Sequence, residues 1–320
     1  MSTTRDLMAS LRDRLIGAAP PPPPPLPRVE APPSRVFVAP HRPDPSARAA
    51  AAHTTALVGI GHVGTRYATD VVLQFQAELA VAHGAVAAEL PDDWAEANQL
   101  LPLRSRCGSH REFLLRPDLG RRLDEPSLAA LRAARHRTAG EIDVQLILAD
   151  GLSAVACMGS GLALLRAMTR ACEARGLRVG PPVCAKFARV WLEDEIGAEV
   201  GAKVSAILLG ERPGLGTGDG LSAYLVYAPK VGNVDGQRNM ISNIHARGVA
   251  PEVAGDRLAA LAAAMIEQRT SGVDLDLGRV AVDDAAALAG GYRAPQVRER
   301  LVERAPQTGL GDPYPTGSRA

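Results

Sequence analysis

The chain has 320 residues, with 36 Lys+Arg against 35 Asp+Glu and a net charge of +1. That balance argues against a general nucleic-acid binder, whose domain shows a basic face, and 46% hydrophobic residues exclude wholesale disorder. No apolar run approaches the roughly 18 residues that span a membrane, and Arg5, Asp6, Arg12, Asp13 and Arg14 interrupt the segment where a secretory signal core would lie.

Residues 1–16 read as an amphipathic leader helix. Leu7, Met8, Leu11, Leu15 and Ile16 recur at three- and four-residue steps and form one apolar stripe. Residues 17–53 read as a Pro-rich linker, since Pro20–Pro25 make a stiff extended spacer. Residues 54–140 are expected to form a smaller, mostly helical domain. Thr54–Gly59 opens it as a short apolar run. Helices follow at Thr69–His83 (apolar Val72, Phe75, Leu79 and Val81), Pro91–Leu101 and Pro126–Arg137.

The pattern changes after Gly140, and residues 141–275 alternate strands with helices. Ile142–Ala149, Val183–Phe187, Val204–Leu209 and Leu221–Tyr227 read as strands. Leu162–Arg175, Leu192–Val200 and Glu252–Arg269 read as helices. Such alternation predicts an α/β fold with a mainly parallel, Rossmann-like sheet. Residues 276–320 form a C-terminal extension. The four cysteines, Cys107, Cys157, Cys172 and Cys184, form no CxxC pair, so buried reduced thiols in a cytoplasmic protein are expected.

Gly59-Ile60-Gly61-His62-Val63-Gly64 matches GxGxxG after an apolar run, and Glu89 stands where a ribose-binding acid would sit. This supports an alternative reading as an NAD(P)-dependent oxidoreductase. The match is weak, because a chain with 31 glycines makes it easily and helical sequence follows. Convergence is the better signal. Asp150-Gly151-Leu152-Ser153, Ala188-Arg189-Val190 and Gly210-Glu211-Arg212-Pro213-Gly214 each follow a predicted strand, and ligands bind beyond the carboxyl ends of parallel strands. Glu211 could accept hydrogen bonds from a neutral polar ligand, or merely pair with Arg212 in a solvated turn. Arg238–His245 is a polar stretch suited to amide recognition, or an Asn/Ser-rich turn. His245 has no partner at metal-ligand spacing. GxSxG, HExxH and GxxxxGK[ST] are absent, as is the Asp-x-His-x-x-Gly of some corrinoid folds.

The ordered set Asp150-Gly151-Leu152-Ser153, Arg189-Val190, Glu193-Asp194-Glu195-Ile196-Gly197, Gly210-Glu211-Arg212-Pro213-Gly214-Leu215, Tyr227-Ala228-Pro229, Arg238-Asn239, Ile241-Ser242-Asn243-Ile244 and Ser271-Gly272 resembles the ethanolamine ammonia-lyase light-chain (small-subunit) family. Upstream, Pro91-Asp92-Asp93-Trp94 and Arg116–Leu123 fit the same pattern. The resemblance implies a subunit of a hetero-oligomeric, adenosylcobalamin-dependent lyase that converts ethanolamine to acetaldehyde and ammonia. The substrate site and catalytic residues are then expected in the large-subunit partner. Corrinoid contacts carry over to Val190 and Glu211, and to Met240 where the family has a cysteine. The missing Asp-x-His-x-x-Gly accords with base-on cobalamin, so no metal ligand is expected here. The leader resembles peptides that direct such subunits into a bacterial microcompartment, which implies shell proteins as further partners. Met240, the altered glycine loop and the apolar Ala154–Gly161 mark a divergent member, and a non-catalytic paralogue is a further alternative.

Overall fold

The computed structural model describes residues 64–138, 140–246 and 248–279. The leader helix, the linker, the Thr54–Gly59 run, all of the glycine loop but Gly64, and the extension beyond Arg279 lie outside the described residues. The chain divides after Phe75 into two units. In the described part of the first, the rings of Tyr67 and Phe75 meet edge to face with centroids 5.8 Å apart.

Helix α1 (Thr69–Ala87) runs across that division. Then come α2 (Trp94–Ala97), β1 (Leu101–Arg104), α3 (His110–Leu115), α4 (Glu125–Arg137), β2 (Ile142–Ala149) and α5 (Leu162–Ala174). The order continues with β3 (Val183–Lys186), α6 (Leu192–Val200), β4 (Ala202–Gly210), β5 (Leu221–Tyr227), β6 (Arg238–Ile244) and α7 (Pro251–Gln268). Local chemistry sets several ends. The Asp124 carboxylate caps α4 by accepting the Ser127 N–H at 2.9 Å. Gly201, with φ 69°, closes α6 in the left-handed conformation that a side chain disfavours.

The six strands form one sheet in the order β1-β3-β2-β4-β5-β6. Pairings among β1, β3, β2 and β4 are parallel, whereas β4–β5 and β5–β6 are antiparallel. The sheet is therefore mixed: three of its five pairings are parallel, as the alternation predicts, and the antiparallel β5–β6 edge corrects the expectation of a Rossmann-like sheet there. The reason is connection length. A parallel return needs a crossover of about a dozen residues or more, usually helical. Segments 211–220 and 228–237 are shorter and carry no crossover helix.

Each face of the sheet carries its own core. On one, Leu164 and Met168 of α5 and Leu258 and Met265 of α7 pack with Leu146, Leu148 and Leu208. On the other, Leu131 of α4 and Leu192 and Ile196 of α6 pack with Ile147 and Ile207. All eight residues of β2 are buried, which explains its nearly unbroken apolar sequence. Each fully buried Leu or Ile contributes about 1.5–3 kcal/mol of transfer free energy.

Three local expectations change. Pro91–Leu101 is not one helix: α2 is short, Gln99 turns out of it at φ 61°, and Leu101 donates its N–H to Pro182 O at 3.2 Å to begin β1. Strand pairing outcompetes the helical pattern there. On α1, Leu79 and Val81 are exposed while Ala82 and Ala85 are buried, so the helix turns its small side chains inward rather than its large apolar ones. The stretch Arg238–Ile244, open between amide-recognition segment and turn, is the edge strand β6. The Asn239 side-chain amide ties it to Gly272, accepting the Gly272 N–H at 2.6 Å and donating to Gly272 O at 3.2 Å.

Candidate functional site

The carboxyl ends of β2, β3 and β4 lie side by side, and a few buried groups fix them. Asp150, directly after β2, is 4% exposed. Its carboxylate accepts the N–H of Phe187 at 2.7 Å and of Ala188 at 3.2 Å, tying the end of β2 to the loop after β3. Burial pushes the Asp150 carboxyl up to about 6, against the opposing pull of those N–H groups. Leu152 donates its N–H to Gly210 O at 3.0 Å and ties the β2 loop to β4. A Cβ on Gly210 would lie 2.3 Å from Ser153 O, so only glycine permits this approach. The Ser153 hydroxyl donates to Gly218 O at 2.9 Å and accepts the Ala156 N–H at 3.1 Å.

Above these ends opens a cleft of about 440 Å³. One wall is Leu152, Arg189, Val190 and Trp191; the other is Glu211, Ser222, Tyr224, Met240 and Ser242. The three residues singled out from the sequence, Val190, Glu211 and Met240, thus line a single cavity although they belong to different segments. Val190 is half-buried and Met240 is 48% exposed toward solvent.

The 116–123 segment braces the first wall. Arg121 stacks over the Trp191 ring at 4.1 Å. Arg189 stacks over Phe113 at 4.2 Å, donates from Nη2 to Phe113 O at 2.9 Å and from its backbone N–H to Gly120 O at 2.9 Å. A Cβ on Gly120 would come within 2.8 Å of Arg189 Cγ. Removal from water holds the Arg189 guanidinium below its ordinary value.

The second wall is joined to the first by a buried ion cluster. Arg238, opening β6, donates from Nη1 to Glu193 Oε1 at 2.6 Å and to Asp194 Oδ1 at 2.8 Å, and from Nη2 to Asp194 Oδ2 at 2.8 Å. Glu193 and Asp194 open α6, just after Val190. Burial drives the Glu193 carboxyl well above the usual carboxylate range and raises Asp194 as well.

Glu211 Oε1 accepts a hydrogen bond from the Ser222 hydroxyl and another from the Asn243 N–H at 3.0 Å. Among the described residues Glu211 forms no salt bridge, so the solvated Glu–Arg turn is not what the fold builds. The contributions of Ser222, Trp191 and Tyr224 had no marker in the sequence, because each lies in or beside an ordinary apolar run. His245 is buried, its Nε2 lying 2.7 Å from Asn243 Oδ1. No cluster of three metal-ligating side chains occurs among the described residues. The four cysteines are free and buried. Glu89, the candidate ribose acid, sits 3.7 Å from Lys186 Nζ.

A family model described as ethanolamine ammonia-lyase light chain (EutC) matches residues 44–276. A curated protein of Fusobacterium nucleatum subsp. nucleatum, called ethanolamine ammonia-lyase small subunit, is 38% identical over 224 residues, which cover 70% of this chain and 75% of that protein. One of Clostridium tetani with the same name is 37% identical over 225 residues, with the same shares covered.

Proposed function

Since the chain belongs to the ethanolamine ammonia-lyase light-chain family, we propose that it is the small subunit of an adenosylcobalamin-dependent ethanolamine ammonia-lyase. The carrying observation is the convergence of Val190, Glu211 and Met240 on one cleft at the strand ends. Its chemistry fits a corrinoid. Leu152, Val190, Trp191 and Met240 offer apolar surface to a macrocycle, and Glu211 and Ser242 offer polar groups to an amide-bearing rim. The cleft is open, and its volume sits near the low end of the roughly 300–1,000 Å³ that encloses a drug-sized ligand. It can serve as one wall for a cobalamin, so the other wall must come from a second chain. That chain is the large subunit, which on this reading also holds ethanolamine. When bound, adenosylcobalamin supplies the radical chemistry that removes hydrogen from the substrate.

This chain's own residues bind and orient. Val190 and Met240 shield the cofactor's face from water, the Met240 thioether keeping van der Waals contact without a thiol donor. Glu211 accepts a hydrogen bond from the rim. The braced wall 189–191 and the Arg238 cluster keep these contacts at fixed separation. The subunit acts in the cytoplasm, and the leader stripe supports delivery into a microcompartment through shell proteins. No helix among the described residues is long and apolar enough to cross a membrane.

The test is co-expression with the large subunit, followed by spectral titration of the apo-complex with adenosylcobalamin. Glu211→Ala removes a hydrogen bond to a charged group, worth roughly 1.5–3 kcal/mol, so affinity falls about tenfold or more. Unaltered affinity counts against the assignment. Retention of NAD(P) by this chain alone would favour the oxidoreductase reading, and retention of neither cofactor the non-catalytic paralogue.

A further inference from the structure

The loop after β4 and the β5–β6 pairing together make a carboxylate holder. In the ladder, Leu221 pairs with Ile244 and Ala223 with Ile241. Ser222 on β5 therefore faces two residues on β6, Ser242 and Asn243, which is a β-bulge. A bulge releases a backbone N–H from the ladder and redirects it. Here the released N–H is that of Asn243, and it points at Glu211 Oε1 at 3.0 Å. Asn243 adopts φ 59°, a conformation asparagine tolerates better than most side chains. Its side chain is held by His245 at 2.7 Å, and a Cβ on Gly248 would lie 2.2 Å from Asn243 O, so the bulge is packed from behind. The Ser222 hydroxyl donates to the same Oε1.

The other oxygen, Oε2, has no hydrogen-bond partner among the described residues. A Cβ on Gly220 would lie 3.1 Å from it, tighter than ordinary contact. Gly220 does not occupy the left-handed region, so backbone conformation does not require glycine there. The missing Cβ leaves Oε2 its space.

We infer that Ser222 and the Asn243 bulge are positioning groups that saturate Oε1 of Glu211, reserving Oε2 to accept a hydrogen bond from a neutral N–H donor, a peripheral carboxamide of the corrinoid. The inference rests on the corrinoid reading above. A carboxylate oxygen takes an N–H or O–H donor, and on the corrinoid reading the peripheral amide N–H groups are the donors at hand.

The complex with the large subunit tests this, with adenosylcobalamin and the set of cobalamin monocarboxylic acids, each carrying one hydrolysed peripheral amide, as probes. In the wild-type complex one acid isomer binds at least about tenfold more weakly than the others, because its carboxylate meets Oε2. Glu211→Gln abolishes that discrimination, since its amide can donate to the carboxylate. Ser222→Ala weakens adenosylcobalamin binding about five- to tenfold and blunts the isomer discrimination, while Ser222→Thr restores both. Gly220→Ala crowds Oε2 and repeats the Ser222→Ala effect, which keeps the test valid if the Ser222 variant folds poorly. Equal binding of all isomers, or wild-type affinity in Ser222→Ala and Gly220→Ala, overturns the inference. If the wild-type complex binds adenosylcobalamin and Glu211→Gln weakens it while Ser222→Ala does not, only the positioning role falls. If the wild-type complex binds no corrinoid, the functional reading itself falls.

Discussion

Asp150 carries a carboxyl group in a place that disfavours its charge, and this leaves a thermodynamic mark. Its folded-state value of about 6 stands above the ordinary 3.8, with desolvation the leading cause. Below about pH 4 both folded and unfolded chains hold the proton. Between about pH 4 and 6 the unfolded chain releases it first and so binds fewer protons, and stability therefore falls as pH rises through that window. The loss is on the order of 3 kcal/mol and is complete above about pH 6. Asp150→Asn removes this slope, although it also weakens the bonds to Phe187 and Ala188. Urea unfolding of both proteins at about pH 4.5 and pH 7.5 checks it, and parallel changes in the two would sink the claim. Nothing in Asp150-Gly151-Leu152-Ser153 announces this duty. The sequence marks a turn after a strand, and only the neighbouring backbone of β3 reveals what the carboxylate holds. Ser222 has the same kind of invisibility: inside Leu221–Tyr227 it reads as one small residue of an apolar strand, and its partner Glu211 comes from another strand's end.

At the scale of elements, the Arg238 cluster is the joint between α6 and β6. The acids opening α6 read from sequence as partners of the helix dipole. The fold uses them further. Glu193 and Asp194 are buried against Arg238, and Glu195 Oε2 accepts the Leu123 N–H at 2.6 Å. Arg238→Met strands two buried carboxyl groups, with a cost of about 3–5 kcal/mol. Adding Glu193→Gln and Asp194→Leu to that change should recover most of the loss. Thermal melts of the two variants measure the difference, and an unchanged midpoint in Arg238→Met would refute the joint. Strands β2, β4 and β5 were legible because burial on both faces writes continuous apolar runs. Strand β1 was not, being four residues long with Pro102 inside it. Strand β6 was not either, since it is an edge whose side chains are largely exposed and whose pairing is broken by a bulge.

For the whole molecule, α/β architecture was legible from alternation, while strand direction at one edge depended on loop lengths that the pattern of hydrophobicity does not weigh. Val190, Glu211 and Met240 were singled out through family resemblance, and in the fold they line one cleft. The gathering of the loops at 150–153, 188–190 and 210–214 was legible from the rule that the carboxyl ends of parallel strands share one side, whereas Met240, inside the antiparallel strand β6, lay beyond that rule. The leader and linker lie outside the described residues, and a deletion tests their role. Deleting residues 2–50 should leave the lyase activity of the complex intact and abolish its co-sedimentation with shell proteins. Unchanged sedimentation would remove the targeting proposal.

The clamp between Asn239 and Gly272 bears on how the chain survives alone. An edge strand presents a row of unpaired N–H and C=O groups, a template on which another extended chain can add itself. Asn239 fastens the edge strand β6 to the 271–272 turn, its side-chain amide making both the donor and the acceptor bond to Gly272. Losing it, as in Asn239→Ala, would loosen the edge strand and favour strand addition, and the damage would be read as aggregation of the free subunit.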